Sequence, residues 1–160
     1  MLMIQRIQTL FLLLSSIFYL SYWLFGLEWY LEGFNVIINL PFLSDRKISI
    51  ILNSLIFITT YIPLITSILC FISILYFKNR KRQLFLSKIA FCLSFLMCMN
   101  TVWFFYFSLN YLVSLMPSMT MEILLYLAII NPFICSFLIY LSIRFIKRDS
   151  ELVRSLNRIR

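Results

Sequence analysis

Side chains able to do chemistry are few in this chain, and their placement narrows what they can do. There is no histidine, which removes the commonest acid–base residue and metal ligand. The carboxylates are Glu28, Glu32, Asp45, Glu122, Asp149 and Glu151. None lies deep in an apolar stretch, where proton-coupled transporters usually keep one. Glu122 borders such a stretch at a helix start, where negative charge suits the backbone dipole. Hydrolysis by paired carboxylates would need Glu28, Glu32 and Glu122 to converge. Cys70, Cys92, Cys98 and Cys135 all fall inside apolar runs, without CxxC or zinc spacing. A thiol there lacks access and a means to ionise, so four buried free thiols packing as small apolar residues are expected. Only Gly26 and Gly33 are glycines, too few for a phosphate-cradling loop, and no GxSxG, Walker or GxGxxG pattern occurs. The inventory implies no catalytic residue, no metal site and no cofactor, so the expectation is a non-enzyme.

The elements that position these residues are four apolar runs, at 7–26, 50–77, 84–107 and 123–146. Each is long enough to cross a ~30 Å hydrocarbon layer as a helix rising ~1.5 Å per residue. Apolar residues make up 62% of the chain and charged residues 12%, half the ~25% of soluble domains, so a bilayer must cover the surface. Arg6 and the leucines of 10–14 fit the start of a signal peptide. However, residues 21–25 offer no small-x-small cleavage site, and an uncleaved first span is expected.

The charge is one-sided. Arg6, Lys78, Arg80, Lys81, Arg82, Lys88, Arg144, Lys147, Arg148, Arg154, Arg158 and Arg160 flank the runs on one side, with only Asp149 and Glu151 against them. Arg46 and Lys47 face four carboxylates on the other. Positive-inside logic puts the first side in the cytoplasm. The predicted fold is therefore an all-α integral membrane protein. Four transmembrane helices form an up-down-up-down bundle with both termini inside. An extracytoplasmic loop covers 28–49, a cytoplasmic loop 78–83 and a cytoplasmic tail 147–160. Trp23, Trp29 and Tyr30 suit the outer headgroup level. Gly33, Asn39, Pro41, Ser44 and Asp45 are turn formers in the outer loop, and 34–40 suits a short strand or an interface-lying segment.

Small and weakly polar residues mark the faces along which membrane helices pack. In the second run Thr59, Pro63, Thr66, Cys70 and Ser73 share one helical face. Pro63 should kink that helix, and Thr59, four residues earlier, is placed to bond a freed backbone group. In the third, Ser87, Ala90, Ser94, Cys98 and Thr101 repeat the pattern. The fourth offers Ala128, Asn131, Cys135 and Ser142, with Pro132 after Asn131. The first gives only Thr9, Ser15 and Ser16. Asn100 and Asn131 are the strongest polar groups within spans. A lipid-facing amide is costly, so each should meet another helix, or both should line a polar pocket with Pro63 and Pro132.

Past Asp149 the pattern changes. Leu152, Val153, Leu156 and Ile159 fall on one helical face, and Arg154 and Arg158 on another. Asp149 or Ser150 suits a cap. A short amphipathic cytoplasmic helix is expected, resting on anionic headgroups, docking on a partner protein or continuing the fourth span. It has no aromatic residue for base stacking, which argues against nucleic acid.

The two ends carry a resemblance. Met3-Ile4-Gln5-Arg6-Ile7-Gln8-Thr9 before a Leu-rich span, and Lys147-Arg148-Asp149-Ser150-Glu151-Leu152-Val153-Arg154-Ser155 near the end, resemble a family of small four-span membrane proteins from Bacteroidota bacteria, domain of unknown function 4293. Asn157 departs from the acidic residue expected there. The resemblance implies an inner-membrane location and brings no activity or site residues. Together these features favour an accessory or scaffold subunit that works through contacts within the membrane and at its tail. The alternative is a small transporter or lipid-handling protein with a polar intramembrane pocket.

Overall fold

Small and weakly polar residues face inward on the second, third and fourth helices. A minority of large apolar residues is buried beside them, and most of the large apolar residues face outward. The computed structural model describes residues 2–28, 30–32, 46–77, 79–116 and 118–159. Its helices are α1 (Leu2–Ser21), continued by a π-helical turn (Tyr22–Gly26), α2 (Arg46–Leu75), α3 (Arg80–Leu115) and α4 (Met119–Ile159). No strand occurs among the described residues. The 34–40 segment, with Trp29 and the turn formers from Gly33 to Asp45, lies outside them.

The helices overrun the apolar runs. Residues 27–28 and 30–32 are still helical, because no turn former lies between Gly26 and Gly33. With α2 starting at Arg46, the expected 28–49 connection is shorter at both ends. The expected 78–83 loop is also largely helix. Asn79 caps α3: its side chain accepts from the Arg82 N–H at 3.4 Å and its carbonyl from the Gln83 N–H at 3.0 Å. The basic residues thus sit on the first turns of α3 instead of in a loop. The expected tail helix is continuous with the fourth span, because α4 runs unbroken for 41 residues. No Pro or Gly follows Pro132 to stop it. Ser150 is not a cap; its hydroxyl donates to the Lys147 carbonyl at 2.7 Å.

α1 packs on α2 and α4, and α3 packs on the same two, which makes a four-cornered up-down-up-down bundle. Its interior is inverted relative to a soluble bundle. Ser15, Ser73, Ser87, Ser94, Thr66 and Thr101 are fully buried, while Phe25 is 75% and Tyr106 83% exposed. Such a surface calls for lipid. All four helices are long and apolar enough to cross a membrane, which points to a multi-pass membrane protein.

The seam residues Thr59, Pro63, Thr66, Cys70 and Ser73 of α2 are buried, as are Ser87, Ala90, Ser94, Cys98 and Thr101 of α3. In α4, Pro132, Cys135 and Ser142 are buried, and Ala128 and Asn131 half-buried. Cys92 departs from expectation. It is exposed, two residues off the Ala90–Ser94 stripe and so on the outward side. The inward face of α1 is Gln8, Leu12, Ser15, Tyr19, Tyr22 and Gly26. Tyr30 is also 0% exposed. It is packed into the core and is no headgroup anchor, because the helix past Gly26 keeps facing α3. Two core clusters result. One gathers Leu12, Tyr19, Cys70, Ala90, Cys135, Ile139 and Ile143; the other gathers Tyr22, Tyr30, Met97, Phe104, Phe105, Leu112 and Leu125.

Candidate functional site

The polar side chains inside the bundle are spent mostly on tying helix to helix. Ser16 and Ser67 donate to each other's main-chain carbonyls, at 3.1 and 3.0 Å, joining α1 to α2. The hydroxyls of Tyr19 and Ser94 meet at 2.6 Å, and Tyr30 donates to Thr101 at 3.0 Å, both linking the first helix to α3. Ser73 and Ser87 meet at 2.9 Å across α2 and α3. Gln8 donates to the Phe145 carbonyl at 2.9 Å, joining α1 to α4. Interhelical bonds of this kind average ~0.6 kcal/mol in membranes, so together they contribute several.

The two asparagines do different work in different places. Asn100 is 6% exposed, and its Nδ2 donates to Thr59 Oγ1 at 2.7 Å between α2 and α3. The Thr59 hydroxyl donates in turn to the Leu55 carbonyl at 2.8 Å, not to a group freed by Pro63. The carbonyl that Pro63 frees is that of Thr59 itself, since proline has no N–H to offer it. Asn131, between α1 and α4, donates to the Phe18 carbonyl at 3.0 Å and accepts from the Cys135 thiol at 3.1 Å. Cys135 also reaches the Ser15 carbonyl at 3.9 Å, and Ser15 lies 4.0 Å from the Cys70 sulfur. A polar knot of Ser15, Cys70, Asn131 and Cys135 therefore joins α1, α2 and α4.

The Phe18 carbonyl accepts a second donor, Ser21 Oγ at 2.8 Å. Side-chain donors at one carbonyl disturb the i→i−4 ladder, and the π-helical turn Tyr22–Gly26 follows at once. Gly26 is needed there for space. A Cβ at Gly26 would lie 2.9 Å from the Tyr22 ring and 3.6 Å from the Ala128 Cβ. Beside this turn opens a cleft of about 350 Å³, walled by Phe25, Leu124 and Leu127, floored by Gly26 and Ala128, with Glu28 and Asn131 among its polar lining. Asn100, Pro63 and Pro132 do not line it, so the asparagines do not share this cleft. Glu32 and Glu122 are absent from the lining as well; Glu122 accepts from the Tyr126 hydroxyl at 3.4 Å. No group of three His, Cys, Asp or Glu able to hold a metal occurs among the described residues.

At the basic end one carboxylate is enclosed. Asp149 is 1% exposed. Arg80 Nη1 lies 2.9 Å from Asp149 Oδ2 and also donates to the Asp149 main-chain carbonyl at 2.9 Å. This clasp ties the first turn of α3 to α4 just beyond the apolar run. It brings Arg80, Lys81 and Arg82 to the same end as Arg144, Lys147 and Arg148, and the Gln8–Phe145 bond brings the start of α1 there too. Lys81, Arg82, Lys88, Arg144, Lys147 and Arg148 are exposed.

Among the residues singled out in the sequence, Thr59 and Asn100 meet, Cys70 joins the Asn131 knot, and Ser94 meets Tyr19. Ala90 and Cys98 are buried without a distinct chemical role. In the tail, Leu152 is exposed. The backbone of Val153, Arg154, Leu156, Arg158 and Ile159 continues α4, and their side chains lie outside the described residues. Sequence reasoning missed Tyr19, Tyr22, Tyr30 and Gly26, whose 3–4 spacing from Leu12 and Ser15 was the available signal. It also missed the Arg80–Asp149 clasp, whose signal was an isolated acid in a basic flank.

Comparison with known proteins places the chain in one family. The model of Domain of unknown function (DUF4293) matches residues 4–159, and the chain belongs to that family. No curated protein and no solved structure matches.

Proposed function

We propose that this member of the DUF4293 family is a non-enzymatic accessory or scaffold subunit of a complex in the bacterial inner membrane. The observation that carries this reading is the use made of the interior polar groups, most of which are engaged in fastening the four helices to one another. A bundle fastened in this way is a platform that offers its lipid-facing surfaces and its basic end to other molecules. In this reading the basic end is cytoplasmic. The support is its charge: a net +10 in the sequence on that side, with exposed Lys and Arg side chains on α3 and α4. Those cations meet anionic headgroups, each adding ~1 kcal/mol of attraction near the surface. The tail, carrying Leu152, Val153, Arg154, Leu156, Arg158 and Ile159, extends as helix from α4 and docks on a cytoplasmic partner; nucleic acid has no part in it.

Orientation is tested with single cysteines in a background where Cys92 is replaced by Ser. An impermeant maleimide should label Lys47→Cys in intact spheroplasts, and Lys81→Cys only after permeabilisation. The reverse pattern overturns the topology. The scaffold role is tested by cross-linking in the membrane followed by mild-detergent purification. A defined membrane partner should be retained, and recovery of the bare chain alone would contradict it.

The cleft beside the π-turn favours a second reading, as a small transporter or lipid-handling protein. Native mass spectrometry of the purified protein would then show a bound lipid that Ala128→Leu, which fills the cleft floor, displaces. Equal lipid adducts on both forms count against it.

A further inference from the structure

Two hydrogen-bond acceptors belong to the buried Thr59–Asn100 pair, one turn before Pro63, and neither has an identified donor. The first is Asn100 Oδ1, which is inaccessible and has no partner. The amide orientation is set by its other end, since Thr59 Oγ1 spends its own proton on the Leu55 carbonyl and can only accept from Asn100 Nδ2. The second is the Thr59 main-chain carbonyl. Its i+4 donor would be the N–H of residue 63, which is proline, inside α2. Both belong to the same residue pair, held at 2.7 Å, and both Thr59 and Pro63 are buried. Two acceptors on one buried residue pair call for a ligand with two donors.

We propose that a single bound water occupies this site, donating one hydrogen to Asn100 Oδ1 and the other to the Thr59 carbonyl. Water has the two donors required, and buried waters take this role at otherwise unpaired polar groups. A cation is the poorer fit. Every named oxygen is neutral, so nothing offsets the desolvation of an ion. The water replaces the helical bond that Pro63 removes and couples this turn of α2 to α3 through Asn100.

The test uses the isotope-labelled full chain in lipid bilayers, with magic-angle-spinning NMR measuring polarisation transfer from water protons. Thr66 is the internal reference: it is buried on the same helix, and its hydroxyl is bonded to the Ile62 and Pro63 carbonyls. Transfer to the Thr59 carbonyl and the Asn100 amide carbon should be several-fold faster than to the Thr66 carbonyl. Pro63→Ala restores the missing N–H and should bring Thr59 down to the Thr66 rate. Asn100→Leu should do the same where it folds. Equal rates at Thr59 and Thr66 in the natural sequence, or fast transfer at Thr59 surviving Pro63→Ala, would overturn the proposal.

Discussion

The two halves of the bundle are built from different materials. The basic half is closed with small residues. Cys70, Ala90 and Cys135 sit in its core beside Leu12, Tyr19, Ile139 and Ile143, the Ser16–Ser67 and Ser73–Ser87 contacts bring backbones together, and the Arg80–Asp149 pair seals its end. The opposite half is propped with rings. Tyr30 stacks on Phe104 with centroids 4.8 Å apart and meets Phe105 and Tyr22 edge-on at 4.9 and 5.3 Å. Small residues let helices approach until hydroxyls touch; rings hold them at the spacing of aromatic contact and leave gaps between. The π-turn and the cleft fall beside the ring-packed half. The serine contacts and the clasp thus lie toward the basic end, and the cleft lies toward the other end of the bundle.

The strongest way to break this contrast is to open the basic end. Arg80→Ala leaves the Asp149 carboxylate enclosed without its cation and should lower stability by about 3 kcal/mol, measured by steric trapping in bicelles. Adding Asp149→Asn to Arg80→Ala should recover part of the loss, because the stranded charge is gone. Equal stability of Arg80→Ala and the exposed Arg82→Ala would show that the clasp does not hold this end. At the ring-packed half, Gly26→Ala should cost about 1–2 kcal/mol by driving a methyl into the Tyr22 ring, and Tyr22→Leu in that background should restore some of it. Tyr30→Phe keeps the ring stack and loses the hydroxyl's bond to Thr101, so about 0.6 kcal/mol is expected. A larger loss would mean the hydroxyl, and not the rings, supports this half. Smallest of all, deleting residues 153–160 should change bundle stability by less than about 0.5 kcal/mol, since Asp149 stays in place.

The sequence made the architecture legible because its causes are local. Apolar run length sets the spans, and one-letter spacing sets the seams on α2 and α3, all of whose members are buried. The face of α1 was harder to see because it is built from Leu12, Tyr19, Tyr22 and Tyr30. Tyrosine in a membrane helix looks like a headgroup anchor until a buried partner such as Ser94 or Thr101 is known. The clasp was hidden for a different reason. Arg80 and Asp149 are 69 residues apart, and each has an adequate local explanation, as topology charge and as helix cap. Asn100 and Asn131 were correctly marked as polar groups needing partners, but spacing within a helix carries no information on which neighbour each one meets.

The proposed function assigns the tail and the lipid-facing surfaces of the fastened bundle to contacts with other proteins. The most direct test is in-membrane cross-linking and purification of the intact chain beside a form ending at Leu152, which removes the tail yet keeps Asp149 for Arg80. The account predicts a defined partner at near-stoichiometric yield with the intact chain, and a several-fold loss of it with the shortened one at unchanged fold stability. Recovery of both forms as bare monomers, with no cross-linked partner, would contradict it.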